Sequence, residues 1–264
     1  MITFNGKVVD VNRFPDGTLL LKEELGFPGD AGKGAHIGWY FENNEELVIL
    51  IYLTKHLREN GIENIVLLMP YIPNARQDRV KESHDVFTLK YFADIINYLN
   101  FSCVQVLDPH SAVSEALINK ISVISPQFCI DSAIQNFEPS MLFFPDEGAM
   151  KRYAGMTTMP YAFGIKKRDW KTGQILGLDV AGDVESIKGK DILIVDDICS
   201  RGGTFLHSAK KLKELGANKI YLYVTHCENT ILEGELLTSG LIEKVFTTNS
   251  IFTKEHERIE VFEL

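Results

Sequence analysis

Residues 192–205 read ILIVDDICSRGGTF: four apolar residues of strand type, two adjacent carboxylates, then a short polar turn with paired glycines and a threonine. The spacing predicts a strand closed by Asp196 and Asp197, followed by a turn over Ser200, Arg201, Gly202, Gly203 and Thr204. Backbone N–H groups of that turn can point inward at a phosphate. Gly202 and Gly203 permit unusual dihedrals and close approach, and a helix starting near Thr204 offers its N-terminal dipole. Carboxylates repel phosphate, so the aspartates must address something else: sugar hydroxyls, which donate well to a carboxylate, or a divalent cation such as Mg²⁺. The plain alternative is an acidic strand end followed by a capped helix.

The same arrangement recurs along the chain. Of the apolar runs of strand length, at 64–71, 103–110, 141–148, 191–197, 219–226 and 244–250, all but the last end in or are followed by reactive residues: Arg76, Gln77 and Asp78; Asp108 and His110; Asp146; Asp196 and Asp197; His226. In open α/β sheets, ligands bind outside the carboxyl ends of the strands. Arg76 and Gln77 carry donors suited to phosphate and to purine edges, with an exposed turn as the alternative. His110 is able to bind a metal or a phosphate oxygen, although a lone histidine is more often structural. Asp146 is an oxygen ligand suited to Mg²⁺ held mainly by nucleotide phosphates. A lone aspartate in such a place is otherwise a helix cap. The basic run FGIKKRDWKTGQ (163–174) reads by itself as a solvated loop.

The elements that must position these residues alternate. Helical spacing is found at 45–60, 86–100 and 204–217, the last ending in Gly216 as a C-terminal cap. Strands alternating with helices predict an α/β fold with mainly parallel sheets, and runs apolar on both faces fit central strands. A proline and a break in pattern near 120–135 place a boundary between two halves, 1–124 and 125–264.

Composition narrows the class of partner. With 264 residues and 45% apolar content the chain can bury ordinary cores. Its net charge of −9 argues against nucleic acid, whose binding needs a basic surface. The four cysteines lack CxxC spacing, which fits a reducing cytoplasm and no disulfide scaffold. No signal-like N-terminus or run of roughly 20 apolar residues appears, so neither export nor a membrane partner is expected.

DDICSRGGT resembles the PRPP-binding loop of type I phosphoribosyltransferases and the ribose 5-phosphate loop of the ribose-phosphate pyrophosphokinases, the PRPP synthases. The N-terminal half separates the two families. PYIPNARQDR (70–79) resembles the synthase segment that contributes to the ATP site, which assigns Arg76, Gln77 and Asp78 to ATP. LDPHS (107–111) resembles a metal and phosphate motif, assigning His110 to metal. FFPDEGAMKR (143–152) resembles the motif that contacts metal and nucleotide, assigning Asp146 and Arg152. RFPDGT (13–18) resembles a loop that reaches the adenine of a neighbouring subunit, assigning Phe14 and Asp16 to ATP. YVTHCENTILEGE (223–235) resembles the family's THxxxSG region. The basic run at 163–174 resembles the flexible catalytic loop, which carries a lysine and an arginine, so Lys166, Lys167 and Arg168 are all candidates.

The resemblance implies two phosphoribosyltransferase-like domains, each a mainly parallel sheet flanked by helices, with the ATP side at 1–124 and the ribose 5-phosphate side at 125–264. It implies transfer of the diphosphoryl group of ATP to ribose 5-phosphate with Mg²⁺, and a homo-oligomer of at least two subunits. The alternatives are a phosphoribosyltransferase that consumes PRPP and a non-catalytic, regulatory relative of the synthases. The sequence departs from the family pattern DDxxDTGGT at Ser200 and Arg201, and Thr18 stands where the family has glutamate.

Overall fold

The computed structural model describes residues 1–22, 34–168 and 175–264, and at 166–168 and 175–176 the backbone only. The chain divides into two compact units, Met1–Ser125 and Pro126–Leu264.

In the first unit β1 (Ile2–Phe4) and β2 (Lys7–Val8) are followed by β3 (Val11–Arg13), β4 (Leu19–Leu21) and β5 (Ala35–Trp39). Then come α1 (Glu45–Glu59), β6 (Ile65–Leu68), α2 (Thr88–Tyr98), β7 (Cys103–Leu107), α3 (Ala112–Leu117) and β8 (Ile121–Ile124). The main sheet has the order β2-β1-β5-β6-β7-β8, parallel from β5 to β8 and antiparallel at β1 and β2, while β3 and β4 form a separate hairpin. α1 forms because Leu50, Leu53 and Leu57 recur on one face and are fully buried, while Glu45 and Glu46 favour its N-terminus electrostatically. Glu46 is itself buried and is held by the Trp39 indole N–H at 2.9 Å and by the N-terminal amine.

The second unit contains α4 (Gln127–Phe137), β9 (Met141–Phe144), α5 (Glu147–Tyr153), β10 (Tyr161–Arg168), β11 (Ile175–Gly182) and β12 (Ile192–Cys199). It ends with α6 (Gly203–Glu214), β13 (Ile220–Cys227), β14 (Val245–Thr248) and β15 (Ile259–Phe262). The sheet order is β11-β10-β9-β12-β13-β14-β15, parallel except for the β10–β11 pair. Alternation along β12 explains its unbroken apolar run. Ile192 and Ile194 join one core with Ala209 and Leu212 of α6, whereas Leu193 and Val195 join another with Ile130 of α4 and Tyr153 of α5.

Both units are therefore α/β, with mainly parallel sheets flanked by helices. All six apolar runs of the sequence become strands, β6, β7, β9, β12, β13 and β14. The basic run is a correction: residues 163–168 continue β10 and pair antiparallel with β11, with Lys166 opposite Leu178, Lys167 opposite Gly177 and Arg168 opposite Ile175. Residues 169–174 of that segment lie outside the described residues.

Candidate functional site

In the second unit the candidate residues gather at the carboxyl end of β12. Asp197 continues the face that packs on α5, and its 3% exposed side chain accepts a 2.9 Å hydrogen bond from Nη2 of Arg152. The same guanidinium nitrogen lies 3.8 Å from Oδ1 of Asp196. Asp196 Oδ1 also accepts from the Asp197 backbone N–H at 2.9 Å. Burial, then the charge of Asp197, push the Asp196 carboxyl well above its usual range. Two carboxylates thus share one guanidinium, and their oxygens are hard donors of the kind a divalent cation takes. Arg152, assigned to nucleotide from sequence, is placed against this acidic pair.

Asp146 caps α5: its Oδ1 accepts from the N–H groups of Gly148 and Ala149 at 3.0 and 3.1 Å. The capping alternative raised for a lone aspartate is therefore realised here, alongside any role in binding. His226 is buried and shares a 2.8 Å hydrogen bond between its Nδ1 and Ser250, within a cluster of hydroxyls on the Thr225 carbonyl. That places it in the interior, as a structural histidine.

The anion-shaped turn follows at once. Gly202 has φ +80 and is the N-cap residue of α6, with no side chain capping the helix. Only glycine fits there: a β-carbon would lie 2.8 Å from the Leu236 side chain, in a left-handed backbone. The first N–H groups of α6 have no intrahelical acceptors, the arrangement that suits an anion. The turn rests on the segment after β13. Ser200 Oγ lies 3.2 Å from Thr230 Oγ1, Thr230 donates to Glu228 at 3.0 Å, and Arg201 pairs with Glu233 at 3.0 Å. A β-carbon at Gly234 would sit 2.0 Å from the Arg201 carbonyl oxygen, so the two backbones are in direct contact. These partners were not identified from sequence, because register across β12 and β13 brings them together. The same register sets Cys199 beside Cys227. Both are buried, and hydrogen bonding with Cys227 together with burial holds the Cys199 thiol well above its usual range.

In the first unit, Asn74 to Arg79 follow β6. Arg76 and Gln77 are exposed, and Gln77 accepts from Thr88 Oγ1 at 2.7 Å. Asp78 is buried and bound by Nε of Arg79 at 2.8 Å and its Nη2 at 3.3 Å. These bonds, aided by the neighbouring Ser111 and His110, hold the Asp78 carboxyl below its usual range. Ser111 Oγ is buried beside Asp78. Asp78, His110 and Ser111 thus meet where β6 and β7 end, and Asp108 there has φ +43, a backbone that side chains rarely adopt. Sequence reading assigned Asp78 and His110 separately, and the structure brings them together.

The RFPDGT segment is the turn of the β3–β4 hairpin. Asp16 Oδ1 accepts from the Thr18 N–H and hydroxyl at 3.0 and 2.7 Å, which lowers the carboxyl's pKa. Phe14 is 50% exposed, and Arg13 forms a two-pronged pair with Glu45. Thr18, the departure from the family pattern, thereby orders the turn through Asp16.

Among the described residues, no three His, Cys, Asp or Glu side chains form a group able to hold a metal, and no helix is long and apolar enough to cross a membrane.

Fold and site together define a two-unit α/β protein with reactive residues at the carboxyl ends of parallel strands, a carboxylate pair leading into a glycine-hinged anion turn. Residues 169–261 match the model of the phosphoribosyl synthetase-associated domain. The chain is 28% identical over 252 residues to the ribose-phosphate pyrophosphokinase of Thermococcus kodakarensis, covering 93% of this chain and 86% of that protein. It is 30% identical over 221 residues to that of Cereibacter sphaeroides, covering 79% and 63%. The crystal structure of phosphoribosylpyrophosphate synthetase from Mycobacterium smegmatis superposes with a TM-score of 0.78 at 19% identity, over 97% of this chain and 86% of that one, and shares the fold. The chain is thus similar over most of its length to ribose-phosphate pyrophosphokinases.

Proposed function

We propose that the protein is a ribose-phosphate diphosphokinase. It transfers the diphosphoryl group of ATP to the C1 hydroxyl of ribose 5-phosphate, giving PRPP and AMP. The observation that carries this reading is the pairing, in one chain, of the acidic strand end and anion turn with a complete second α/β unit. Pyrophosphokinases match that chain over 93% of its length. A phosphoribosyltransferase that consumes PRPP has no use for the Met1–Ser125 unit.

In this reading the first unit is the ATP side. Arg76 and Gln77 donate to the nucleotide, and Asp78 fixes the segment that carries them. Phe14, exposed at the hairpin turn and backed by Asp16, stacks on the adenine of a neighbouring subunit, which requires at least a dimer. The second unit is the ribose 5-phosphate side. The N–H groups of Ser200, Arg201, Gly202, Gly203 and Thr204 hold the 5-phosphate, while Asp196 and Asp197 accept from the sugar hydroxyls. Arg152 is held by this pair, and the resemblance assigns it to the nucleotide.

Phosphoryl transfer asks the protein for alignment and charge stabilisation, with little covalent chemistry. When bound, Mg²⁺ would supply charge neutralisation on the phosphates, and the sequence resemblance gives His110 in the first unit and Asp146 in the second, each taken separately, as candidate ligands. Lys166, Lys167 and Arg168, on the last residues of β10, supply the cations that stabilise charge growing on the transferred group. The cytoplasm is the compartment assigned in this reading, because four cysteines without CxxC spacing suit a reducing environment.

The test is to incubate the purified chain with Mg²⁺, ATP and ribose 5-phosphate and follow AMP and PRPP. AMP and PRPP should form in equal amounts, and alanine at the catalytic cation among 166–168 should slow turnover about 10²- to 10³-fold. AMP no higher than the ATPase background would refute the proposal.

A further inference from the structure

Of the three side chains of the anion turn able to donate to a phosphate, Ser200, Arg201 and Thr204, the first two are already engaged. Arg201 Nη2 donates to Glu233 at 3.0 Å. Ser200 meets Thr230, whose only hydroxyl hydrogen goes to Glu228 at 3.0 Å. The 3.2 Å contact between the two hydroxyls must therefore be a bond from Ser200 to Thr230, with the Ser200 hydrogen directed away from any bound anion. A serine in that state turns lone pairs, and no donor, toward a phosphate.

The acids belong to a segment with little freedom to drift. The Glu228 N–H is bonded to the Cys199 carbonyl at 2.8 Å, Gly234 packs on the Arg201 carbonyl, and Ile231 and Leu236 are fully buried.

We propose that Glu228 and Glu233 are specificity-determining residues: they draw the Ser200 hydroxyl and the Arg201 guanidinium away from the anion turn and so tune how tightly it holds the sugar 5-phosphate. The inference deepens the reading of the turn as the ribose 5-phosphate site and rests on it. The Arg201–Glu233 pair is exposed, at 70% and 59%, and such pairs are weak, so a phosphate dianion displaces Glu233 and leaves it hydrated. An uncharged sugar has nothing with which to do so. The turn thus answers to the charge of its ligand, at the cost of some affinity for it. Ser200 and Arg201, where the family pattern has aspartate and threonine, are the residues that make this control available.

The test uses the full chain. Ribose 5-phosphate binding is measured by calorimetry without ATP, and the KM values for ribose 5-phosphate and for ATP are measured in turnover. Glu233→Gln and Thr230→Val should each tighten ribose 5-phosphate binding about two- to five-fold and leave the KM for ATP unchanged. Each gain should vanish when its donor is removed, in Glu233→Gln with Arg201→Ala and in Thr230→Val with Ser200→Ala. Weaker binding in the single variants would overturn the proposal, because the acids would then be aiming the donors. Gains that persist in the double variants would overturn it too, since they would report a general loss of negative charge. A wild-type chain that makes PRPP while its variants behave in either way sinks this inference alone. A wild-type chain that binds no ribose 5-phosphate removes the function reading and this inference with it.

Discussion

Replacing Arg152 with methionine keeps its aliphatic length and removes a guanidinium shared by Asp196 and Asp197, at 3.8 and 2.9 Å. The Asp197 side chain is 3% exposed, so water has little access to the place the guanidinium leaves. Breaking such a buried pair from one side costs about 3–5 kcal/mol. Arg152 is 29% exposed, which places the expected loss near the lower end, about 3 kcal/mol. The unit Pro126–Leu264 should then melt about 6–12 °C lower at pH 8, followed by circular dichroism. The loss comes from negative charge that has lost its guanidinium, so protonation relieves it. The gap between variant and wild type should narrow as pH falls toward the ordinary carboxylate range. Adding Asp197→Asn to Arg152→Met should recover much of the loss at pH 8. A drop below about 1 kcal/mol, or a gap that stays constant with pH, would refute the reasoning, because the pair would then be well solvated.

Two further outcomes follow from the same strand end and turn. Asp196 has its carboxyl raised by burial and by Asp197, so the folded chain binds a proton there more tightly than the unfolded chain does. Stability is then lost as pH rises through and above the usual carboxylate range, and Asp196→Asn should raise the melting temperature at pH 8 but not near pH 4. The same variant should use ribose 5-phosphate poorly, and equal melting curves for variant and wild type at pH 8 would contradict the assignment. Gly202→Ala puts a β-carbon into a left-handed backbone, costing about 1–2 kcal/mol, and 2.8 Å from Leu236. Steady-state kinetics should show a raised KM for ribose 5-phosphate with that for ATP unchanged, and a shift in both would mean that the turn is not a local site.

The sequence by itself determined the alternation of strands and helices and the kind of chemistry at each strand end. Apolar runs bounded by polar residues are a local property, and a carboxylate pair followed by SRGGT carries its own turn geometry through Gly202. The strands absent from that reading are the short ones at the N-terminus, β8, β10, β11 and β15. Several are short or polar, and β11 has its apolar residues interrupted by Gly177 and Asp179; all are completed by the hydrogen bonds of a neighbouring strand. The basic run at 163–168 is the clearest case. Its charge reads as a loop, yet the backbone pairs with β11.

What only the tertiary structure decided is who partners whom. Arg152 lies 45 positions from Asp197 in sequence, and it reaches that carboxylate because α5 packs on the face of β12 to which alternation turns Asp197. Glu228, Thr230 and Glu233 meet Ser200 and Arg201 because β12 and β13 pair in parallel with Cys199 opposite Cys227. The acidic strand end and the anion turn were legible because each is a few consecutive residues. The charge that balances them comes from elsewhere in the chain, and only sheet register and helix packing set which charge that is.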